Sequence, residues 1–154
     1  MLTVEQVLLQ IVALVVDDNP EHQALLAQQL KGLGAKEILK AATGLEALAL
    51  LKARTQPVDM IVAEVRVPDG NGMQLLQAIR CGQSKNMRAN ATFVLTTAVP
   101  EVGIIQTASA LDANGFVVKP IKTEKLEATI LKARRTVFPP NIARYTEVFI
   151  PDKF

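Results

Sequence analysis

One cysteine, one histidine, one tyrosine and no tryptophan occur among 154 residues, and each scarcity removes a class of protein. The lone Cys81 forms no intramolecular disulfide, so the fold must rest on its core, as expected in a reducing compartment. The lone His22 lies on a helical segment, supplies no histidine cluster for a metal, and reads as a surface residue. Neither sign of charge dominates. The 17 basic and 15 acidic residues are scattered, the net charge is +2, and no basic stripe of a nucleic-acid binder is present. The apolar run Leu8 to Val16 is interrupted by Gln10 and falls far short of the ~20 residues of a membrane span. Met1 to Glu5 lack the basic flank of a targeting segment. A cytoplasmic protein without membrane or nucleic-acid partners is expected. No internal repeat or low-complexity tract appears, and no Gly-x-Gly-x-x-Gly follows a strand, which argues against a nucleotide-binding dehydrogenase.

What is present is apolar content of 49%, enough for one substantial core and one domain. Short apolar runs alternate with longer helix-periodic segments, the pattern of strand-helix units in a parallel sheet covered on both faces. Strands are predicted at Ile11–Val16, Glu37–Ala41, Met60–Glu64, Thr92–Thr96 and Gly115–Val118. Helices are predicted from Pro20 to about Leu30, ended by Gly32 and Gly34, and from Gly44 to Ala53 with Leu45, Leu48 and Leu51 on one stripe. Three more are predicted from Gly72 to about Arg80, from Pro100 to Leu111, and from an N-cap at Thr123 to about Val137, before Pro139-Pro140. The polar, unpatterned segment 83–91 reads as a loop. The fold class is α/β, a doubly wound five-stranded parallel sheet of the flavodoxin-like kind. Residues 1–10 form an N-terminal extension and 139–154 a C-terminal tail. Phe138, Tyr145, Phe149 and Phe154, four of the six aromatics, lie in or beside the tail. Folding back over the domain is the leading expectation for it. Partner binding is the second, and a strand at Tyr145–Ile150 added to another subunit's sheet is the third.

In an open parallel sheet, function collects beyond the carboxyl ends of the strands. That rule brings Asp17, Asp18, Glu64, Thr96, Thr97 and Lys119 to one edge. Adjacent carboxylates repel unless a cation sits among them, and a hard, oxygen-liganded ion such as Mg2+ suits them. A Thr97 hydroxyl and a Lys119 ammonium are what the oxygens of a phosphoryl group need opposite the metal. Taken singly, each has a plainer reading. Asp18 or Asn19 would cap the helix opened by Pro20, Thr97 would bond nearby backbone, and Lys119 would be a solvated strand end. Lys132, Arg134 and Arg135 suit the end of the last helix rather than a phosphate patch.

In order and spacing, Asp17-Asp18, the Pro68 and Gly72 loop after Glu64, Thr97-Ala98 and Lys119-Pro120 resemble the receiver domains of two-component response regulators, similar to the single-domain chemotaxis regulators. Ala42-Thr43-Gly44-Leu45-Glu46-Ala47-Leu48 resembles that family's second-helix entrance. The resemblance covers residues 11–138. It implies that Asp17, Asp18 and the Arg66 main-chain carbonyl are Mg2+ ligands, that Thr97 and Lys119 contact a phosphoryl group, and that Phe116 is an aromatic switch residue. It also implies no enzyme. Glu64 falls where the family carries its phosphoaccepting aspartate. The extra methylene, about 1.5 Å of chain, misplaces the carboxylate for in-line attack and brings it within reach of Lys119 and Thr97. The Arg66 side chain is expected to pair with Glu64 and stand in for the cation.

The leading expectation is therefore an atypical receiver that mimics the active state or no longer switches and signals through protein contacts. Its partners would be a histidine kinase, an adaptor, a downstream regulator or a second copy. They would dock on the 99–137 face, where Val99, Val102, Ile104 and Ile105 offer apolar area, or on the tail. The alternative is an ordinary Mg2+-dependent switch phosphorylated on Glu64 or Asp69. A flavodoxin-like cofactor binder shares the topology, but it needs a Gly-, Ser- or Thr-rich turn where Asp17-Asp18 stand. A metal-dependent phosphohydrolase needs a committed nucleophile with a second acid or base, which the sequence does not supply.

Overall fold

The computed structural model of the protein describes Leu8 and residues 10–154. Most of the N-terminal extension therefore lies outside the described residues. Five strands, β1 (Val12–Val16), β2 (Glu37–Ala41), β3 (Met60–Glu64), β4 (Thr92–Thr97) and β5 (Gly115–Val118), form one sheet in the order β2-β1-β3-β4-β5. Every pairing is parallel. The three central strands, β1, β3 and β4, are buried along their whole lengths, which is why their middles are apolar on both faces rather than alternating, with polar Glu64, Thr96 and Thr97 only at the carboxyl ends that build the site and Thr92 at the start of β4.

Side chains alternate between two cores, as the period of a strand requires. Leu14, Val16, Ile61, Ala63, Phe93 and Leu95 face one side, under helices α2 (Gly44–Ala53), α3 (Gly72–Arg80) and α4 (Val102–Ala110). Ala13, Val15, Met60, Val62, Val94 and Val117 face the other, under α1 (Pro20–Gly32) and α5 (Thr123–Arg135). The doubly wound fold class is as expected. Among the described residues no helix is long and apolar enough to cross a membrane.

Local chemistry sets the helix starts and corrects several boundaries. Asn19, not Asp18, caps α1, its side chain accepting from the Glu21 and His22 amides. Thr43 caps α2 by accepting from Glu46 N at 3.0 Å, while Glu46 Oε2 accepts from Ala42 N at 3.0 Å. Thr123 is not the cap of α5. Lys122 holds that position without a side-chain bond, because the Thr123 hydroxyl accepts from Gln29 Nε2 instead. Helix α4 starts two residues later than expected, and Glu101 at its cap makes no capping bond because its carboxylate is taken by Arg66. On α2, Leu45 is 63% exposed, and the buried positions are Gly44, Ala47 and Leu51.

The tail folds back, but not as a strand. Ile142–Glu147 form a short helix, α6, capped by Asn141, and Tyr145 is fully buried against α3. The third option, a strand at Tyr145–Ile150, is not adopted: the segment is a turn and a half of helix followed by irregular chain. The Tyr145 hydroxyl donates to Asp112 Oδ2 at 2.6 Å, and Arg144 also pairs with that carboxylate. Burial, then the bond to Asp112, raises the Tyr145 phenol above its ordinary 10.0.

At the last residue of α3, Arg80 is fully buried. Its guanidinium donates to the carbonyls of Leu111, Ala89, Ala91 and Asp112 and to Asn114 Oδ1, all at 2.8 to 3.0 Å. The Phe138 ring lies 4.9 Å from its central carbon. Desolvation pushes its pKa down to about 10. One side chain thus ties α3, the loops before β4 and β5, and the root of the tail together. Substituting Arg80→Lys cannot restore a five-donor fork and leaves buried acceptors unmet. Urea denaturation is expected to show a loss of about 3 kcal/mol or more, and an unchanged midpoint would refute this role.

Candidate functional site

The site lies at the carboxyl edge of the sheet, built by the ends of β1, β3, β4 and β5. Parallel register sets Glu64 beside Thr96, and the Thr96 hydroxyl donates to Glu64 Oε2 at 3.2 Å. Lys119 follows β5, two strands from β3 and three from β1, spans of roughly 10 and roughly 14 Å at ordinary strand spacing. The lysine side chain and the two carboxylate side chains close those gaps from both sides. Lys119 Nζ lies 2.7 Å from Asp17 Oδ2 and 3.4 Å from Glu64 Oε2. Its third neighbour is His22 Nδ1 at 2.9 Å, so the ammonium hydrogen-bonds to Asp17 and His22 and is ion-paired with Glu64. The Lys119–Pro120 peptide is cis.

The acidic pair divides. Asp17 is buried and its Oδ1 accepts from Asn19 N at 2.9 Å, whereas Asp18 is exposed. Both Asp17 oxygens are therefore engaged from within the chain. Glu64 is also buried. That burial raises its carboxyl above the ordinary 4.5; Lys119 opposes the shift, Asp17 adds to it, and a main-chain bond from Arg66 and the Thr96 hydroxyl oppose it further.

Arg66 does not pair with Glu64 as expected. Its guanidinium turns to the loop after β4, donating to the Thr97 hydroxyl, to Val99 O at 3.1 Å and to Glu101 Oε1 at 3.1 Å. Three acceptors on one loop suit a planar fork better than the single carboxylate already held by lysine. Thr97 is consequently bonded away from Lys119. Phe116 is half-buried against the α2–α4 core.

Glycines let the loop after β3 close over the site. A Cβ on Gly72 would stand 2.5 Å from Glu64 O, and one on Gly44 would stand 2.1 Å from Gly70 O. Asp69 sits at that loop's crest with φ of 51°, and its carbonyl accepts from Leu45 N. As they stand, the two Asp17 oxygens are taken by Lys119 and the Asn19 amide, so Mg2+ would have to displace both to enter between Asp17 and Glu64.

Sequence comparison matches residues 13–131 to the response regulator receiver domain. The chain belongs to that family. A probable chemotaxis protein CheY of Rhizobium etli is 31% identical over 121 residues, 79% of this chain and 90% of that protein. A CheY homolog of Campylobacter jejuni is 30% identical over 118 residues, 74% and 88% of the two chains. Among solved structures, chemotaxis protein CheY4 of Vibrio cholerae superposes with a TM-score of 0.70 at 26% identity, covering 80% of this receiver and 98% of that chain. The receiver fold and two-component signalling follow from the match, and the roles of individual residues rest on the geometry above.

Two site features were missed by the sequence. His22 reads as a surface residue and is indeed exposed, yet its Nδ1 meets Lys119. The available signal was its place in the first turn of a helix starting beside Asp17. The Arg66 clamp offered no signal, because its acceptors belong to a loop more than 30 residues away. A titration of the Glu64 carboxyl carbon by NMR is expected to give a midpoint above 4.5. A raised folded value makes Glu64's contribution to stability fullest below 4.5 and lost as pH rises through that midpoint. Relative to Glu64→Gln, the natural protein should therefore lose stability across that window; a midpoint below 4.5 would contradict the burial argument.

Proposed function

We propose that this chain is a non-enzymatic, atypical receiver of two-component signalling in which Glu64 stands at the phosphoacceptor position and is neutralised from within by Lys119. It signals through protein contacts instead of phosphoryl transfer. The observation that carries the proposal is Lys119 Nζ between Asp17 and Glu64 at 2.7 and 3.4 Å. A carboxylate already facing an ammonium and the Thr96 hydroxyl has its charge met where an incoming phosphoryl group would need it free. The added methylene displaces the attacking oxygen by an amount that is costly for in-line transfer. Arg66 supports the same reading, since it holds the Thr97 hydroxyl against the loop. Asp17, Asp18 and the Arg66 carbonyl remain the set on which Mg2+ would assemble if Lys119 gave way. When bound, such an ion would supply charge neutralisation for phosphoryl oxygens.

Partner docking fits the face spanning residues 99–137. Val99, Val102, Ile105 and Val118 are exposed there, and the tail leaves them uncovered because it packs on α3. A histidine kinase, an adaptor, a downstream regulator or a second copy is the class of partner such an apolar face suits, in the cytoplasm. The second reading is an ordinary Mg2+-dependent switch with Glu64 or Asp69 as acceptor. In its favour, Asp17, Thr97 and Lys119 are all present at the strand ends. Intact mass after incubation with Mg2+ and acetyl phosphate separates the two. No added phosphoryl group is expected on the natural protein and one on Glu64→Asp. Phosphorylation of the natural protein would establish the ordinary switch, and phosphorylation of neither would refute a pocket disabled only at its acceptor.

A further inference from the structure

The side-chain amides of α3 are used twice. Asn71 is the helix cap, its Oδ1 accepting from Gln74 N at 2.9 Å, and Gln74 Oε1 returns the favour to Asn71 N at 2.9 Å. These oxygens complete a capping box. Aspartate and glutamate would serve a cap equally well. The nitrogens explain the amides. Asn71 Nδ2 donates to the carbonyls of Pro151 at 2.9 Å and Asp152 at 3.2 Å, and Gln74 Nε2 donates to Asp152 Oδ1 at 3.0 Å. One turn further, Gln77 Nε2 donates to the carbonyls of Tyr145 and Val148, both at 2.9 Å. Residues 71, 74 and 77 share one helix face, and four of their five bonds read main chain. That face captures a peptide largely by its backbone.

The captured segment has the form of a ligand. Residues 148–154 belong to no helix or strand. Val148, Ile150 and Phe154 pack against the core, while Phe149 between the first two is 82% exposed, the alternation of an extended chain. Tyr145, fully buried, anchors the segment's root. Its far end, Asp152 to Phe154, forms one wall of a cleft of about 570 Å3 whose other wall includes Arg66, Pro68 and Asp69. Asn71 is thus shared between the tail and the loop that closes over Glu64.

We propose that α3 carries a peptide-docking groove, read by the amides of Asn71, Gln74 and Gln77, in which residues 148–154 of this chain sit as a displaceable intramolecular ligand. With the segment seated, the groove is closed to other peptides. With it displaced, the groove is open to an extended segment bearing apolar residues at alternate positions.

Two variants of the full chain test this. The pair Asn71→Asp with Gln74→Glu keeps the capping oxygens and removes the donors to the tail. Heteronuclear NOE values of residues 149–154 are expected to fall from the level of the helices to that of a free terminus, while α3 and Tyr145 stay ordered. Unchanged values would overturn the proposal. In the second variant, Ile150→Ser with Phe154→Ser, the groove is intact and its ligand weakened. A fluorescent peptide copying residues 146–154 is expected to bind this variant at least tenfold more tightly than the natural protein, as read by anisotropy. Equal binding, no binding, or loss of cooperative folding in this variant would show the segment to be a fixed part of the core and overturn the proposal.

Discussion

A single ammonium group held between two buried carboxylates governs the arrangement of the sheet's functional edge. Burying Asp17 and Glu64 near one another is unfavourable twice over, through lost hydration and through mutual repulsion. Lys119 answers both, because at the carboxyl edge of the sheet its long side chain meets the Asp17 and Glu64 carboxylates reaching out from β1 and β3. Around that pairing the rest of the edge falls into place. Thr96 completes the Glu64 hydrogen bonding, Asn19 N completes that of Asp17, and His22 takes the remaining ammonium direction. Arg66, left without a carboxylate in the pocket, spends its donors on the loop leading into α4. The two cations therefore do different work: Lys119 fills the pocket and Arg66 fixes its rim.

The opposite end of the sheet depends on Arg80 in a comparable way. A buried guanidinium with carbonyl partners needs excellent geometry to offset its desolvation, and five bonds plus an aromatic ring supply it. Asp112 links this network to Tyr145 and so to the tail. The chain beyond α5 is consequently integrated through α3 rather than through α5, which leads into it. That leaves the α4–β5 surface uncovered and places the tail's end beside the loop that follows Glu64.

Much of the fold was legible because buried parallel strands write themselves as continuous β-branched runs. Each of the five strands agrees with its expected range to within one residue. Asp17, Glu64 and Lys119 were legible as neighbours because each ends a strand, and the carboxyl-edge rule needs nothing else. Side-chain direction was not. Arg66 was expected to turn toward the nearest carboxylate, and it turned toward a distant loop whose carbonyls no sequence pattern announces. Arg80 did leave a trace: it sits seven residues after Met73 on the apolar face of α3, an odd place for an unpaired cation. The tail's strand propensity was overridden locally, since Asn141 after two prolines caps a helix, and Tyr145 gains more from burial and Asp112 than from pairing at a sheet edge.

The central claim is that Lys119, not a divalent ion, is the resident cation of this receiver. An amide NMR titration of the natural protein with millimolar Mg2+ tests it most directly. The resonances of Asp17 to Asn19 and of Glu64 to Arg66 are expected to stay in place, and to move saturably only when Lys119→Met vacates the pocket. Saturable movement of those resonances in the natural protein would contradict the claim.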